Sequence, residues 1–175
     1  MSQQTILITG VTRRVGAHLA EHLLDAGHRV IGTYRRETDA LKLLIDKGLI
    51  ALPLDLLERD RLDAFADTVA DRTDRLDLIV HNASIWHGDE DCKADPQLAT
   101  AMYTVHVTSP IELTESLQRA LPARERDDGR ADRQVVFLTD AHIDEGEPSH
   151  IHYIASKAAI ESSIRSLALR YAPHT

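Results

Sequence analysis

The sequence holds one cysteine (Cys92), one tryptophan (Trp86) and only 4% aromatic residues in 175 positions. A single cysteine excludes an internal disulfide and fits a reducing compartment. No apolar run approaches the roughly 18–20 residues that span a bilayer. The opening MSQQTILITG has neither a basic stretch nor a small-residue cleavage site, so no secretory leader and a cytoplasmic location are expected. Basic residues are in deficit: 20 Lys and Arg stand against 28 Asp and Glu, a net charge of -8. That balance argues against a general nucleic-acid binder, because phosphate backbones select a basic footprint. It leaves room for a local basic pocket that takes a small anionic cofactor. Ten histidines invite a metal reading. However, HLAEH (18–22) lacks the acid of H-E-x-x-H, and His142, His150 and His152 fall in an acidic loop without cysteine partners. No metal site is expected.

What is present is an ordinary globular composition, 43% hydrophobic and 27% charged. Short apolar runs alternate with segments of helical spacing. Strands are expected at 4–9, 28–34, 49–56, 75–84 and 134–139, with Pro53 an objection to a central place for the third. Helices are expected at 14–26, 37–48, 59–74, 95–121 and 151–171, the first two closed by Gly27 and Gly48. Segments 87–95 and 122–133 read as solvated loops, and Cys92 as exposed among acids that discourage its thiolate. Strict β-α alternation implies right-handed crossovers and a parallel sheet covered on both faces. Runs such as LIV and VVFL are continuous, as doubly buried strands are. The whole chain, 1–175, reads as one domain.

Ligands of such sheets bind at the carboxyl ends of the strands. The first such end is TGVTRRVG (9–16), where a glycine turn enters a helix N-terminus. Free N–H groups and the positive end of the helix dipole attract a pyrophosphate there, although the same glycines also serve a plain tight turn. The second strand ends at Tyr34-Arg35-Arg36. An acid here would bind the ribose 2′-hydroxyl of NAD, whereas arginine accommodates the 2′-phosphate of NADP. Two arginines favour NADP(H), or else they merely begin a helix.

These residues resemble the short-chain dehydrogenase/reductase family. TGVTRRVG stands where the family has T-G-x-x-x-G-x-G, and PLDL places Asp55 and Leu56 where it contacts adenine. HNAS (81–84) is similar to its N-N-A-G strand end, and YIASK to its Y-x-x-x-K pair. The resemblance implies a Rossmann-like doubly wound sheet of order 3-2-1-4-5. It assigns Gly10, Arg14, Val15, Gly16, Tyr34, Arg35, Arg36, Asp55, Leu56, Asn82, Ala83, Ser84 and Lys157 to the cofactor. Three departures are similar to the pteridine-reductase branch, which includes dihydromonapterin reductases. Arg14 replaces the middle glycine, Asp140 replaces the catalytic serine, and Trp86 follows the N-A-S motif. The substrate set implied is Arg14, Ser84, Trp86, Asp140 and Tyr153.

Tyr153 and Lys157, four apart, share one helical face. The ammonium is expected to lower the phenol's pKa and, by resemblance, to bind the nicotinamide ribose. Asp140 suits a C=N bond better than a ketone. An anion repels a developing alkoxide, whereas a carboxyl kept partly protonated, or relaying through Tyr153, delivers a proton to ring nitrogen. Asp140 is otherwise a plain turn residue. Trp86 either stacks on a flat pterin or serves as a core or lid residue. His106 stands where many relatives have an asparagine that anchors a relay water; it either substitutes for it or only supports the helix. The expected activity is NADPH-dependent reduction of a dihydropterin (dihydromonapterin, or dihydrofolate). A general carbonyl reductase and a nucleotide-binding fragment without activity are the alternatives. Relatives continue past RYAPHT into two more strands and pair through their last long helices. A chain short at its C-terminus, with the fifth strand at an edge, and a homo-oligomer (tetramer or dimer) are therefore expected.

Overall fold

The five apolar runs form five strands: β1 (Thr5–Ile8), β2 (Arg29–Tyr34), β3 (Ile50–Pro53), β4 (Leu78–His81) and β5 (Gln134–Phe137). The computed structural model describes residues 3–123, 132–172 and 175. All strand pairs are parallel, in the order β3-β2-β1-β4-β5, with Leu7 level with Ile31 on one side and Ile79 on the other. Pro53 lies on β3, an edge strand, where its missing N–H breaks no ladder.

Alternation along β1 splits the core between two faces. Leu7 joins Phe65, Val69, Leu113 and Leu117 under α3 (Leu62–Ala70) and α6 (Ser109–Ala120). Ile6 and Ile8 join Ala20, Leu41 and Leu44 under α1 (Arg14–Asp25) and α2 (Asp39–Asp46). Each of these buried side chains except Ala20 contributes about 1.5–3 kcal/mol relative to exposure. The sheet's carboxyl edge, which carries the turns after β1, β4 and β5, is thereby held rigid.

Four expectations are corrected. The segment read as a solvated loop at 87–95 contains a helix, α4 (Asp89–Ala94), and Cys92 is buried beneath it. Burial first, and then Asp89, Asp91 and Asp95, push its thiol pKa up. The helix expected over 95–121 runs without a gap but is not regular: α5 (Gln97–Tyr103) passes through a π turn (Thr104–Thr108) into α6. Pro110 explains the π turn, since it cannot donate to the His106 carbonyl and its ring crowds that group. The acidic loop before the last helix contains a short helix, α7 (His142–Glu145). Most of the charged segment 122–133 lies outside the described residues, but its last member, Arg133, is buried rather than solvated. Arg133 donates to the Leu76 carbonyl (3.1 Å), Gln118 Oε1 (2.8 Å) and the Leu121 carbonyl (2.6 Å).

The final helix, α8 (Ile151–Tyr171), is capped by a residue from another element. Asp89 of α4 accepts from the N–H groups of Ile151 (3.1 Å) and His152 (3.4 Å). That distant cap satisfies orphan donors of the first turn and fixes where α8 begins. Among the described residues, no helix is long and apolar enough to cross a membrane.

Candidate active site

One cavity of about 700 Å³ opens along the carboxyl ends of the strands. The turn after β1 forms its floor. Gly10 takes φ +75 and its N–H donates to Thr33 Oγ1 at 3.1 Å. Thr9 Oγ1 accepts from the N–H groups of both Asn82 and Ala83 at 3.0 Å, and Asn82 Nδ2 donates to the carbonyls of Thr9 and Gly10 at 2.9 Å. The ends of β1 and β4 are thus tied by four residues, Thr9, Gly10, Asn82 and Ala83, and Thr33 ties the turn to β2. Thr9 and Thr33 were not singled out from sequence; a hydroxyl at a strand end carries no signal until its neighbour strand is known.

Every residue singled out for the site lines this one cavity. The turn supplies Gly10, Arg14, Val15 and Gly16, the end of β2 Tyr34, Arg35 and Arg36, and the end of β3 Asp55 and Leu56. Asn82, Ala83, Ser84 and Trp86 follow β4; Asp140 follows β5; Tyr153 and Lys157 face in from α8. The walls also include His142 and His150, which the sequence left as loop residues.

The residues present fit a dinucleotide. Arg13, Arg14, Arg35 and Arg36 all border the cavity, and among the described residues none of them is in an ion pair. Four unneutralised cations on a chain of net charge -8 mark an anion site. The first turn of α1 has no side-chain cap, so its N–H groups remain for a ligand. Lys157 is buried, and among the described residues its ammonium makes one hydrogen bond, to the Leu138 carbonyl at 2.8 Å. Two of its three donors remain.

Arg14 takes φ 49, a left-handed conformation that glycine adopts freely and arginine does not. The strain costs roughly 1–2 kcal/mol, and such outliers persist where the side chain is needed. Arg14→Gly should therefore leave stability unchanged or raise it by up to about 1 kcal/mol, because glycine's entropic cost offsets part of the relief. It should weaken anion binding at the same time. Urea unfolding alongside a cofactor titration measures both; a clear loss of stability would show that Arg14 serves the fold.

Two expected ionisation states are reversed. Tyr153 donates its phenolic hydrogen to Asp140 Oδ2 at 3.0 Å. Burial first, and then this bond, push its pKa up to about 12. The expected lowering by Lys157 is not found. Its Nζ lies 5.8 Å from the ring centroid, spends a donor on Leu138, and is itself pushed below the ordinary lysine value by burial. Tyr153 is hence fully protonated near neutrality. Asp140 was expected to be partly protonated or to relay a proton through Tyr153, and the first of these is what the structure reverses. Burial does push its carboxyl up, but the His142 N–H, the His142 ring and the Tyr153 hydroxyl outweigh it and hold it below the ordinary value. Asp140 is an anion that accepts.

His106 has both ring nitrogens engaged within the protein. The Ile85 N–H (3.3 Å) donates to Nε2, so Nδ1 carries the hydrogen and donates to Ser156 Oγ at 2.8 Å. Ser156 Oγ donates in turn to the Tyr153 carbonyl at 2.6 Å. Ser84 Oγ lies 2.9 Å from the same Nε2 and donates to it, which leaves its oxygen lone pairs toward the cavity. Of the two readings of His106, this arrangement is the supporting one. Trp86 is not a core residue. It is 60% exposed at the cavity lip, stacked on His150 at 4.6 Å and tilted to Tyr153 at 6.2 Å.

Burial holds both His106 and His81 well down, at about 3. Their folded pKa values lie below the unfolded value of 6.5, so each contributes stability that is present above that pH. It is lost as pH falls toward 3, at up to about 1.4 kcal/mol per pH unit per histidine. Urea midpoints should decline from pH 6 to pH 4, less steeply in His106→Asn. A flat profile over that range would contradict the burial of both imidazoles.

The short chain dehydrogenase family model matches residues 4–175. Dihydromonapterin reductase of Escherichia coli (strain K12) is 36% identical over 168 residues, which covers 96% of this chain and 68% of that one. Among solved structures, FolM alternative dihydrofolate reductase 1 from Brucella canis, complexed with NADP, superposes with a TM-score of 0.80 at 27% identity, over 98% of this chain and 69% of that one. A short-chain dehydrogenase from Streptomyces avermitilis gives 0.83 at 30% identity, over 99% and 62%. The chain thus spans between three fifths and seven tenths of the length of these relatives. Matched by that family model along nearly its whole length, the chain belongs to the short-chain dehydrogenase family.

Proposed function

We propose that this protein is an NADPH-dependent reductase of a dihydropterin, acting on a C=N bond. NADPH, when bound, supplies the hydride. The turn residues Gly10, Arg14, Val15 and Gly16 would hold its pyrophosphate, and Arg35 and Arg36, with Tyr34, the 2′-phosphate. Asp55 and Leu56 would meet adenine, Asn82 and Ala83 would support the nicotinamide half, and Lys157 would bind its ribose. Ser84 would offer its oxygen lone pairs to a pterin N–H. Trp86 would stack on the pterin ring, and Arg14 would reach its polar edge.

The observation that carries this reading is the Tyr153–Asp140 hydrogen bond, with the phenol protonated and the carboxylate ionised. As hydride reaches a ketone, negative charge builds on an oxygen too weakly basic to be protonated beforehand, and an adjacent anion disfavours that. An imine nitrogen is far more basic and takes its proton before or as hydride reaches carbon, so little negative charge develops. An anion beside the proton donor is harmless there, and once it has taken up a proton it can pass one to Tyr153. The names of the E. coli and Brucella relatives, a dihydromonapterin reductase and an alternative dihydrofolate reductase, support the same substrate class.

The test is NADPH oxidation with dihydromonapterin and with dihydrofolate, with NADH and a simple ketone as controls. NADPH-specific turnover of a dihydropterin is expected. Asp140→Ser should remove most of that turnover and, if anything, improve the ketone. The opposite pattern would make the protein a general carbonyl reductase. Saturable NADPH binding without any turnover would make it a binding module.

A further inference from the structure

The reductase reading leaves one wall residue of the cavity unused. His142 opens α7, and its backbone N–H donates to Asp140 Oδ1 at 3.0 Å. Its ring Nδ1 lies 2.9 Å from the same oxygen. The other carboxylate oxygen, Oδ2, accepts the Tyr153 phenol at 3.0 Å. One carboxylate therefore joins an imidazole to the site's proton donor. Exposure falls along the line: the His142 side chain is 54% exposed and that of Asp140 24%. A molecule that fills the cavity covers Tyr153 from the cavity side, but the His142 ring stands at the rim and keeps contact with water.

We propose that His142 is the proton inlet of this site, passing protons from solvent through Asp140 to Tyr153. The proposal rests on the reductase reading. In each turnover the Tyr153 O–H bond breaks as an N–H bond forms on the substrate. The His142 Nδ1–H bond then breaks as Asp140 takes the proton on Oδ1, the carboxyl turns about its Cβ–Cγ bond, and its O–H bond breaks as the Tyr153 O–H bond re-forms. The imidazole regains its proton from water. The cofactor's hydride accounts for the only redox change, so no further reductant is needed.

The groups around His142 favour its charged form. The hydrogen bond to Asp140 comes first, and the charges of Asp140, Glu145 and Glu147 act the same way, while burial opposes them; its pKa is raised above 6.5. From α8, Tyr153 and Lys157 face Asp140 rather than His142. His150, the remaining imidazole of the cavity wall, is engaged with Ser149 Oγ at 2.9 Å and stacked on Trp86. The protonated donor thus persists to higher pH than in a free imidazole and is lost as pH rises through the raised value.

Two readouts test this. The first needs no cofactor: an NMR titration of the His142 ring should give a midpoint above 6.5 that returns toward that ordinary value in Asp140→Asn. The second is turnover of dihydromonapterin by His142→Gln, which keeps a donor near Asp140 but cannot be protonated. Its kcat should fall on the order of 10- to 100-fold at neutral pH, around the lower limit for a positioned acid, with KM unchanged. Its rate should lose the alkaline decline, and added imidazole should restore rate in proportion to its concentration. Turnover and pH profile unchanged in His142→Gln would overturn the inlet alone. A His142 midpoint at or below 6.5 would overturn the pairing on which it stands. Absence of turnover in the unsubstituted protein would overturn the reductase reading and the inlet with it.

Discussion

Tyr153→Phe, which removes a single oxygen, is expected to lower dihydropterin turnover by about 10²- to 10⁴-fold. The phenol is the acid that the reductase reading assigns to the substrate once its hydrogen turns from Asp140 toward the cavity, since Asp140 is ionised and the remaining donors of Lys157 are assigned to the cofactor. The ring itself should not move. It meets the His106 ring edge-on at 5.4 Å, and its carbonyl is held by Ser156. Asp140 loses one partner but keeps the His142 N–H and ring, so stability should change by less than about 1 kcal/mol. Lys157 stays bonded to Leu138, so NADPH affinity should be retained. The result is a loss in kcat without a matching loss in cofactor binding, read from NADPH absorbance and a fluorescence titration. A variant within tenfold of the parent would place the proton source elsewhere than on Tyr153.

Which residues meet was largely legible in the sequence, whereas the charges they carry were not. The strands could be read because continuous apolar runs stop at Gly10, Tyr34, Leu54 and His81, where the chain must turn. Residues 151–171 could be read because the stretch holds no glycine or proline. Those are local signals. The ionisation of Tyr153 and Asp140 depends on burial, on a lysine that turns to the Leu138 carbonyl, and on His142 folding back on Asp140. Spacing along one helix carries none of that. Helix α4 was missed for a related reason. DEDCKA is short, acidic and weakly apolar, and it holds because Asp91 accepts from the Gly88 N–H (3.1 Å) while Asp89 docks on α8. The buried Arg133 likewise depends on partners distant in sequence, Leu76, Gln118 and Leu121, whereas the four-residue α7 is held locally, by His142 on Asp140.

Gly16→Ala should cost stability and binding together, and by more than any exposed substitution in the turn. A Cβ on Gly16 would overlap the Gly10 carbonyl oxygen and Asn82 Nδ2, and would stand 3.1 Å from the Gly10 carbonyl carbon. None of these atoms is the free end of a flexible chain. The Gly10 carbonyl is backbone, and Asn82 Nδ2 is pinned by two 2.9 Å bonds. The methyl is therefore accommodated only if α1 backs away from the turn, which separates the N–H groups that would face a pyrophosphate. Overpacking of this kind costs about 1–3 kcal/mol, against which alanine's better helix propensity returns at most about 1 kcal/mol. A net loss of about 2 kcal/mol is expected in urea, with NADPH affinity reduced at least tenfold. Val15→Ala, at a side chain 58% exposed, should stay within about 0.5 kcal/mol. Equal stability in Gly16→Ala would mean that the turn is plastic and the close approach dispensable. The two positions need a small residue for different reasons. Position 14 asks for a backbone conformation, which an arginine can adopt under strain. Position 16 asks for space, and no side chain can give that back.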